Sequence, residues 1–104
     1  MHKLDIPRRV WAQIDEVKGF TEERFGPSKR LEYEDLIDEA LLAIASNPWQ
    51  GKKRSAARPD ALAYHIKQPG RNARHLFFYR VSRGDVVQIL AFLHDSMDFD
   101  RHLP

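Results

Sequence analysis

The first half of the chain carries apolar residues at the spacing of two amphipathic helices. Pro7 favours the start of the first helix, because the first helical position needs no backbone N–H. The segment Phe25-Gly26-Pro27 ends that helix, Ser28 is the expected N-cap of the second, and Asn47-Pro48 ends the second. Two helices joined by so short a break are expected to form an antiparallel hairpin. The core-facing positions are Val10, Trp11, Ile14 and Val17 in the first helix, and Tyr33, Leu36, Ile37, Ala40, Leu41 and Ile44 in the second.

The second half of the chain changes to the patterns of β-strands. Leu62, Tyr64 and Ile66 alternate with smaller or polar neighbours and predict a half-buried strand, which a turn at 68–72 ends. The runs HLFFYRV and VVQILAFLH are almost continuously apolar and predict two central strands, joined by a tight turn at 82–85. Between helices and strands, WQGKKRSAARPD has no periodicity and predicts an exposed, mobile loop, with Trp49 packed against the helix end.

The order of these elements predicts an α+β fold. The short alternating stretch HKLDI adds an N-terminal strand, so the order is β-α-α-β-β-β with a short C-terminal segment. We expect the helical hairpin to pack on one face of a small antiparallel sheet, with the N-terminal strand at the sheet edge. A chain of this length favours a single domain over residues 1–104.

Composition excludes several classes of protein. The chain contains no cysteine, which excludes disulfides and thiolate metal sites and agrees with a reducing cytoplasm. No apolar run is long enough to span a membrane, so we expect no membrane partner. The N-terminal segment MHKLDIPRR lacks the apolar stretch of a signal peptide.

The net charge is only +2, but the positive charges are unevenly distributed. The second half is rich in basic residues and poor in acidic ones, a pattern that suits a phosphate backbone or an acidic partner. The alternative is an ordinary solvated basic surface. The basic residues of this region are Lys52, Lys53, Arg54, Arg58, Lys67, Arg71, Arg74, Arg80 and Arg83.

The C-terminal segment FLHDSMDFDRHLP concentrates histidines and aspartates. Its spacing matches no closed metal site, so we predict neither a metal nor a cofactor. The segment is better interpreted as a core strand ending at His94, followed by a closing segment whose Phe99 and Leu103 pack back on the sheet. His94 itself is either a hydrogen-bonded structural histidine or a catalytic base.

The stretches FTEERFGP, LIDEALLAIASNPWQGK and HLFFYRVSRGDVVQILAFLHDSMDFDRHL, in this order, resemble the ParE/RelE toxins of type II toxin–antitoxin systems. The final His-Asp, Met-Asp and His-Leu pattern resembles the ParE branch. The resemblance implies a cytoplasmic bacterial toxin of a plasmid stabilisation system, neutralised by a cognate antitoxin. ParE-like toxins are associated with DNA gyrase and are not thought to be enzymes. RelE-like toxins are metal-independent, ribosome-dependent mRNA endoribonucleases, and a non-toxic binding module of the same fold is a third alternative.

The resemblance also implies roles for individual residues. If the chain were a nuclease, its catalytic candidates would be Arg58, Arg80 and His94. However, Leu76 stands where such nucleases commonly carry an arginine, and Asp95 stands where an aromatic residue often follows the histidine. A carboxylate there would repel a phosphate, so we favour the non-nucleolytic ParE-like alternative.

Two sets of residues are candidates for binding partners. The basic set is expected to contact the target, whether gyrase or the ribosome with its mRNA; the acidic set, on the second helix, is expected to meet antitoxin Arg or Lys. The basic candidates are Lys52, Lys53, Arg54, Arg58, Arg74 and Arg83, and the acidic candidates are Glu32, Asp35 and Asp38.

Overall fold

The computed structural model describes the backbone of residues 1–104 and every side chain except that of Arg71. Its element order confirms the predicted α+β fold. The elements are β1 (Lys3–Asp5), α1 (Arg8–Phe25), α2 (Pro27–Ser46), a 3₁₀ turn (Pro48–Gln50), β2 (Leu62–Gln68), β3 (Arg71–Val81), β4 (Val86–His94) and α3 (Phe99–His102).

The four strands form one sheet in the order β1-β4-β3-β2. The last three strands are an antiparallel meander, as predicted, and β1 joins the edge beside β4. That edge pairing is parallel, with Lys3 opposite Val86, so the sheet is mixed and not wholly antiparallel. The long connection through both helices makes a parallel pairing possible, since parallel neighbours need a crossover.

Glycine at position 26 explains the sharp reversal between the helices. Gly26 has φ 92°, a left-handed conformation that favours glycine, and its N–H donates to the carbonyl of Glu22 at the end of α1. Gly26 is also the N-cap of α2, and Pro27 takes the first helical position. The prediction that Ser28 is the N-cap is therefore wrong, because Ser28 already lies within the helix.

The helical hairpin packs on one face of the sheet and forms the main core. Ile14, Ile37 and Ile44 are essentially inaccessible, as are Phe77 and Tyr79 on β3. Burial of each large side chain contributes about 1.5–3 kcal/mol, so this layer holds the helices on the sheet. The predicted apolar stripes are largely confirmed, but Trp11 is wrong as a core residue because it is 46% exposed.

The opposite face of the sheet carries a second, smaller core. Leu76, Phe78 and Leu93 are buried there, and the chain after β4 covers them. Phe99 packs edge-on against Phe78, with ring centroids 4.7 Å apart. Met97, Phe99 and Leu103 all pack on this cluster, which confirms that the C-terminal segment closes the sheet.

The segment between the 3₁₀ turn and β2 is tied to the sheet at several points. Lys52 and Ala63 exchange backbone hydrogen bonds of 2.9 and 2.7 Å, and buried Ser55 donates to Asp100 in α3. Trp49 is 68% exposed, so its predicted packing is wrong. Pro48 fills the interior instead, and its carbonyl accepts a 2.6 Å hydrogen bond from the Tyr79 hydroxyl.

Candidate functional site

An open groove of about 830 Å³ lies between the helical hairpin and the β2–β3 end of the sheet. Aromatic and aliphatic side chains from the helices line one wall, while imidazole and charged groups from β3 and the end of β4 line the other. Phe20 is 55% exposed and Phe25 is 65% exposed, which is unusual for such large apolar groups. We call this the hairpin groove; the lining residues used below are Phe20, Phe25, Glu32, Tyr33, Leu36, Arg74, His75, His94 and Asp95.

His75 is held by several contacts within the hairpin groove. Its Nδ1 lies 2.6 Å from the hydroxyl of Tyr33, and its ring stacks on Phe92 with centroids 5.1 Å apart. Burial, followed by the charge of neighbouring His94, lowers the pKa of His75 to about 4. Burial also raises the pKa of Tyr33, as does the charge of Asp95. At neutral pH this pair is therefore uncharged and joins α2 to the sheet.

His94 lies opposite His75 on β4, and its ring meets the His75 ring edge-on at 5.1 Å. The backbone N–H of Ser96 donates to Nδ1 of His94 at 3.1 Å, so neutral His94 carries its proton on Nε2. Asp95 lies 3.4 Å from the same Nδ1 and accepts a 3.1 Å hydrogen bond from Arg74. Arg74, the cation that lines the groove beside His94, is thus neutralised by a carboxylate.

The other two nuclease candidates, Arg58 and Arg80, lie on the opposite face of the sheet. Arg58 donates to Asp60 at 3.1 Å, and Arg80 approaches the same carboxylate at 3.8 Å. Hydrogen bonding from Arg58 lowers the pKa of Asp60, which therefore remains charged between the two guanidiniums.

Strand geometry separates this arginine pair from the histidine. Arg80 pairs with Gln88, and His75, the partner of His94, lies five residues or about 17 Å away along β3 at about 3.3 Å per residue. Alternation along β3 puts Arg80 on the Leu76–Phe78 face, whereas His75, the partner of His94, shares the Phe77–Tyr79 face. The structure brings Arg58 and Arg80 together but does not bring either to His94.

Leu76 occupies the position at which a nuclease of this kind commonly carries an arginine. Its side chain is 1% exposed and belongs to the second core. A charged residue at this position would have to be buried among Phe78 and Leu93, at a cost of several kcal/mol.

Two of the predicted basic candidates converge with two residues that were not among the predicted binding candidates. Lys52 and Arg54 line a small pocket of about 110 Å³ together with His65 and Lys67 from β2. We call it the basic pocket; Gln50, Ala63, Tyr64 and Asn72 complete its lining. Lys53 and Arg83 are exposed and do not line it. The pairing of Lys52 with Ala63 brings the two segments of the pocket together, and no pattern in the sequence predicts that pairing.

The acidic candidates are exposed on α2, as predicted. Glu32 forms a 3.0 Å ion pair with Lys29 and lines the hairpin groove. Asp35 and Asp38 share their side of α2 with Leu31 and Leu42, which are 62% and 55% exposed. Sequence reasoning missed this exposed apolar component, although both leucines lie off the core-facing stripe and could have been found from the helical spacing.

Two further properties concern ions and membranes. No group of three or more potential metal-ligating side chains occurs among the side chains that the structure describes. Of the helices described, none combines the length and the apolar character that crossing a membrane requires.

The helical hairpin, the four-stranded sheet and the covering C-terminal segment together form the α+β architecture predicted from the sequence. The family model described as "ParE toxin of type II toxin-antitoxin system, parDE" matches residues 4–99. The chain therefore belongs to the ParE toxin family.

Individual relatives agree with this assignment. The chain is 29% identical over 103 residues to Toxin ParE1 of Caulobacter vibrioides, and the match covers 99% of each. It is also 29% identical over 92 residues to Toxin ParE1 of Mycobacterium tuberculosis, covering 88% of each. A chain of the chromosomal ParDE system from P. aeruginosa has a TM-score of 0.73 at 22% identity, covering 90% of this chain and 96% of that one. The last comparison shows a shared fold.

Proposed function

We propose that this ParE-family toxin arrests growth by binding DNA gyrase, without catalysis of its own, and that a cognate antitoxin neutralises it. On this proposal it acts in the cytoplasm as the toxin of a plasmid stabilisation system. The observation that supports a binding mechanism most directly is the separation of Arg58 and Arg80 from His94 by strand geometry. RNA cleavage remains the alternative function.

Metal-free RNA cleavage requires a base, an acid and cations gathered around one phosphate. Beside His94 the available cation is Arg74, which Asp95 already neutralises. The carboxylate of Asp95 would also repel a phosphate placed against His94. The arginine pair on the other face is held by Asp60 and by the backbone carbonyl of Pro104. These contacts favour a structural role for the nuclease candidates.

The hairpin groove and the outer side of α2 favour an antitoxin that binds as an extended amphipathic segment. Phe20 and Phe25 offer exposed rings that a partner's apolar side chains would cover. Asp35 and Asp38 are exposed on α2 and suit antitoxin Arg or Lys. The edge strand β2 adds backbone groups that a partner segment can pair with.

The target is tested by two assays on the same purified protein. We expect wild-type toxin to inhibit supercoiling by DNA gyrase and to leave mRNA intact in a translation extract. His94→Ala is expected to retain inhibition within about threefold, because a structural histidine at a strand end contributes modestly. Normal supercoiling at large molar excess, together with A-site cleavage that His94→Ala abolishes, would instead establish the RelE-like nuclease.

Antitoxin contact is tested by charge reversal on α2. Asp35→Lys/Asp38→Lys is expected to weaken binding of the antitoxin encoded beside the gene by about tenfold or more, because opposite charges across an interface become like charges. The matched control, Glu16→Lys/Glu23→Lys, makes the same change of charge at exposed positions of α1. Equal affinity for both double variants, measured by calorimetry at one salt concentration, would exclude this acidic face from the interface.

A further inference from the structure

The basic pocket is built by two extended segments that each contribute alternate residues. Lys52 and Arg54 come from the segment that pairs with β2 through Ala63, and His65 and Lys67 come from β2 itself. Residues two apart in an extended chain point to the same side, so two pairs of basic groups converge on one volume. Ala63, which is 5% exposed, forms an apolar floor beneath them.

Among the described side chains, no carboxylate neutralises the cations of the basic pocket, in contrast to four arginines elsewhere on the molecule. Arg30, Arg58, Arg74 and Arg80 all form ion pairs. Within the set of side chains that the structure describes, Lys52, Arg54 and Lys67 form none, and no acidic residue lines the pocket. Partial burial, followed by the charge of Arg54, lowers the pKa of His65, so its neutral ring adds a donor and an acceptor.

We propose that the basic pocket binds a phosphate group of a nucleic-acid backbone, with Lys52, Arg54 and Lys67 as the charged contacts. Positive charge without a partner in the fold provides the attraction, and a volume of about 110 Å³ admits a compact anion. Trp49 precedes the pocket residue Gln50 and is 68% exposed, so it offers a ring on which a neighbouring base can stack.

A phosphodiester suits the basic pocket better than an acidic peptide does. Peptide segments are normally anchored by apolar side chains in pockets, and the lining offers only the methyl of Ala63 and the ring of Tyr64. The Tyr64 ring is itself covered by the ammonium of Lys67 at 5.7 Å. Large exposed apolar groups suited to a peptide lie instead at the hairpin groove.

This inference goes beyond the proposed action on gyrase and is tested without gyrase or ribosomes. Labelled single-stranded and duplex DNA of about 20 nucleotides are titrated with the toxin from about 50 to about 300 mM salt, with fluorescence anisotropy as the readout. We expect an association constant whose logarithm falls linearly with the logarithm of the salt concentration. Lys52→Gln/Arg54→Gln/Lys67→Gln should weaken binding by about tenfold or more and reduce the salt slope by about 1, the value for one phosphate contact.

The control removes equal charge from elsewhere on the molecule. Lys3→Gln/Arg8→Gln/Arg101→Gln also loses three exposed positive charges from the same net charge of +2. It should keep wild-type affinity within about threefold and the wild-type slope within about 0.3, because the basic pocket is intact. Thermal unfolding of both variants establishes that each is folded, and the conservative Lys52→Arg/Lys67→Arg variant should bind as wild type does.

Three results would overturn the proposal. They are equal losses of affinity in the two triple variants, no detectable binding of both the single strand and the duplex at the lowest salt, and tighter binding of a poly-glutamate peptide than of DNA. Equal losses would indicate unspecific attraction by net charge, and preference for the peptide would identify the basic pocket as an acidic-peptide site. A preference between the single strand and the duplex identifies which form presents the phosphate. Failure of gyrase inhibition leaves these results unaffected, so the two proposals fail separately.

Discussion

Gly51→Ala is expected to destabilise the protein by about 3 kcal/mol, combining overpacking with the loss of a buried hydrogen bond. A Cβ at this position would overlap the hydroxyl of Tyr79 and come within 2.9 Å of its Cζ and 3.0 Å of Leu62 Cβ. Tyr79 is fully buried and donates to Pro48, so moving its ring breaks a hydrogen bond inside the main core. In a domain of this size the melting temperature should fall by about 15 °C.

The matched control places the same methyl group where there is room for it. Gly19 lies inside α1, and a Cβ there has no neighbouring atom within 4 Å. Gly19→Ala should stabilise the protein by about 0.5–1 kcal/mol, because alanine reduces the entropy cost of forming a helix. Both values come from urea unfolding followed by circular dichroism. A Gly51→Ala variant as stable as wild type would mean that Tyr79 does not pack against this turn.

The regular elements were predictable because each is determined by a local pattern. The stripe around Ile37, Ala40 and Ile44 has helical spacing. The runs in β3 and β4 are almost continuously apolar, which predicts strands buried on both faces of the sheet. Errors arose where one residue's environment depends on a distant partner. Hydrophobicity alone predicts that Trp49 packs against the helix end, but Pro48 fills that space and Tyr79, from the other half of the chain, closes it.

The candidate site was predictable only in part, for the same physical reason. The register of β3 and β4 establishes that Arg80 and His94 lie far apart and on opposite faces of the sheet. The neutralisation of Arg58 and Arg80 by Asp60 could not be inferred, because it depends on how the segment before β2 crosses the sheet. The basic pocket was missed because it depends on one isolated bridge, between Lys52 and Ala63.

Acid is expected to weaken the fold through His75, in a window set by its two pKa values. The unfolded chain takes up a proton as the pH falls through the usual histidine value of 6.5, whereas folded His75 does so only near 4. Between these values the unfolded state binds more protons, so stability is complete above 6.5 and is lost progressively towards 4. With allowance for its partial exposure, the loss attributable to His75 is about 2 kcal/mol.

A pair of variants isolates this contribution from the carboxylates that also titrate in acid. The double variant Tyr33→Phe/His75→Phe removes the ionisable ring without leaving the tyrosine hydroxyl unpaired. Between about pH 7 and about pH 4, the free energy of unfolding of this variant should therefore fall about 2 kcal/mol less than that of wild type. Tyr33→Phe alone should keep most of the wild-type pH dependence, because burial is the largest cause of the lowered pKa of His75. Urea unfolding at the two pH values measures both differences. Parallel pH profiles for wild type and the double variant would show that His75 is protonated as readily in the folded protein as in the unfolded chain, and hence that the contact between α2 and the sheet is open to water.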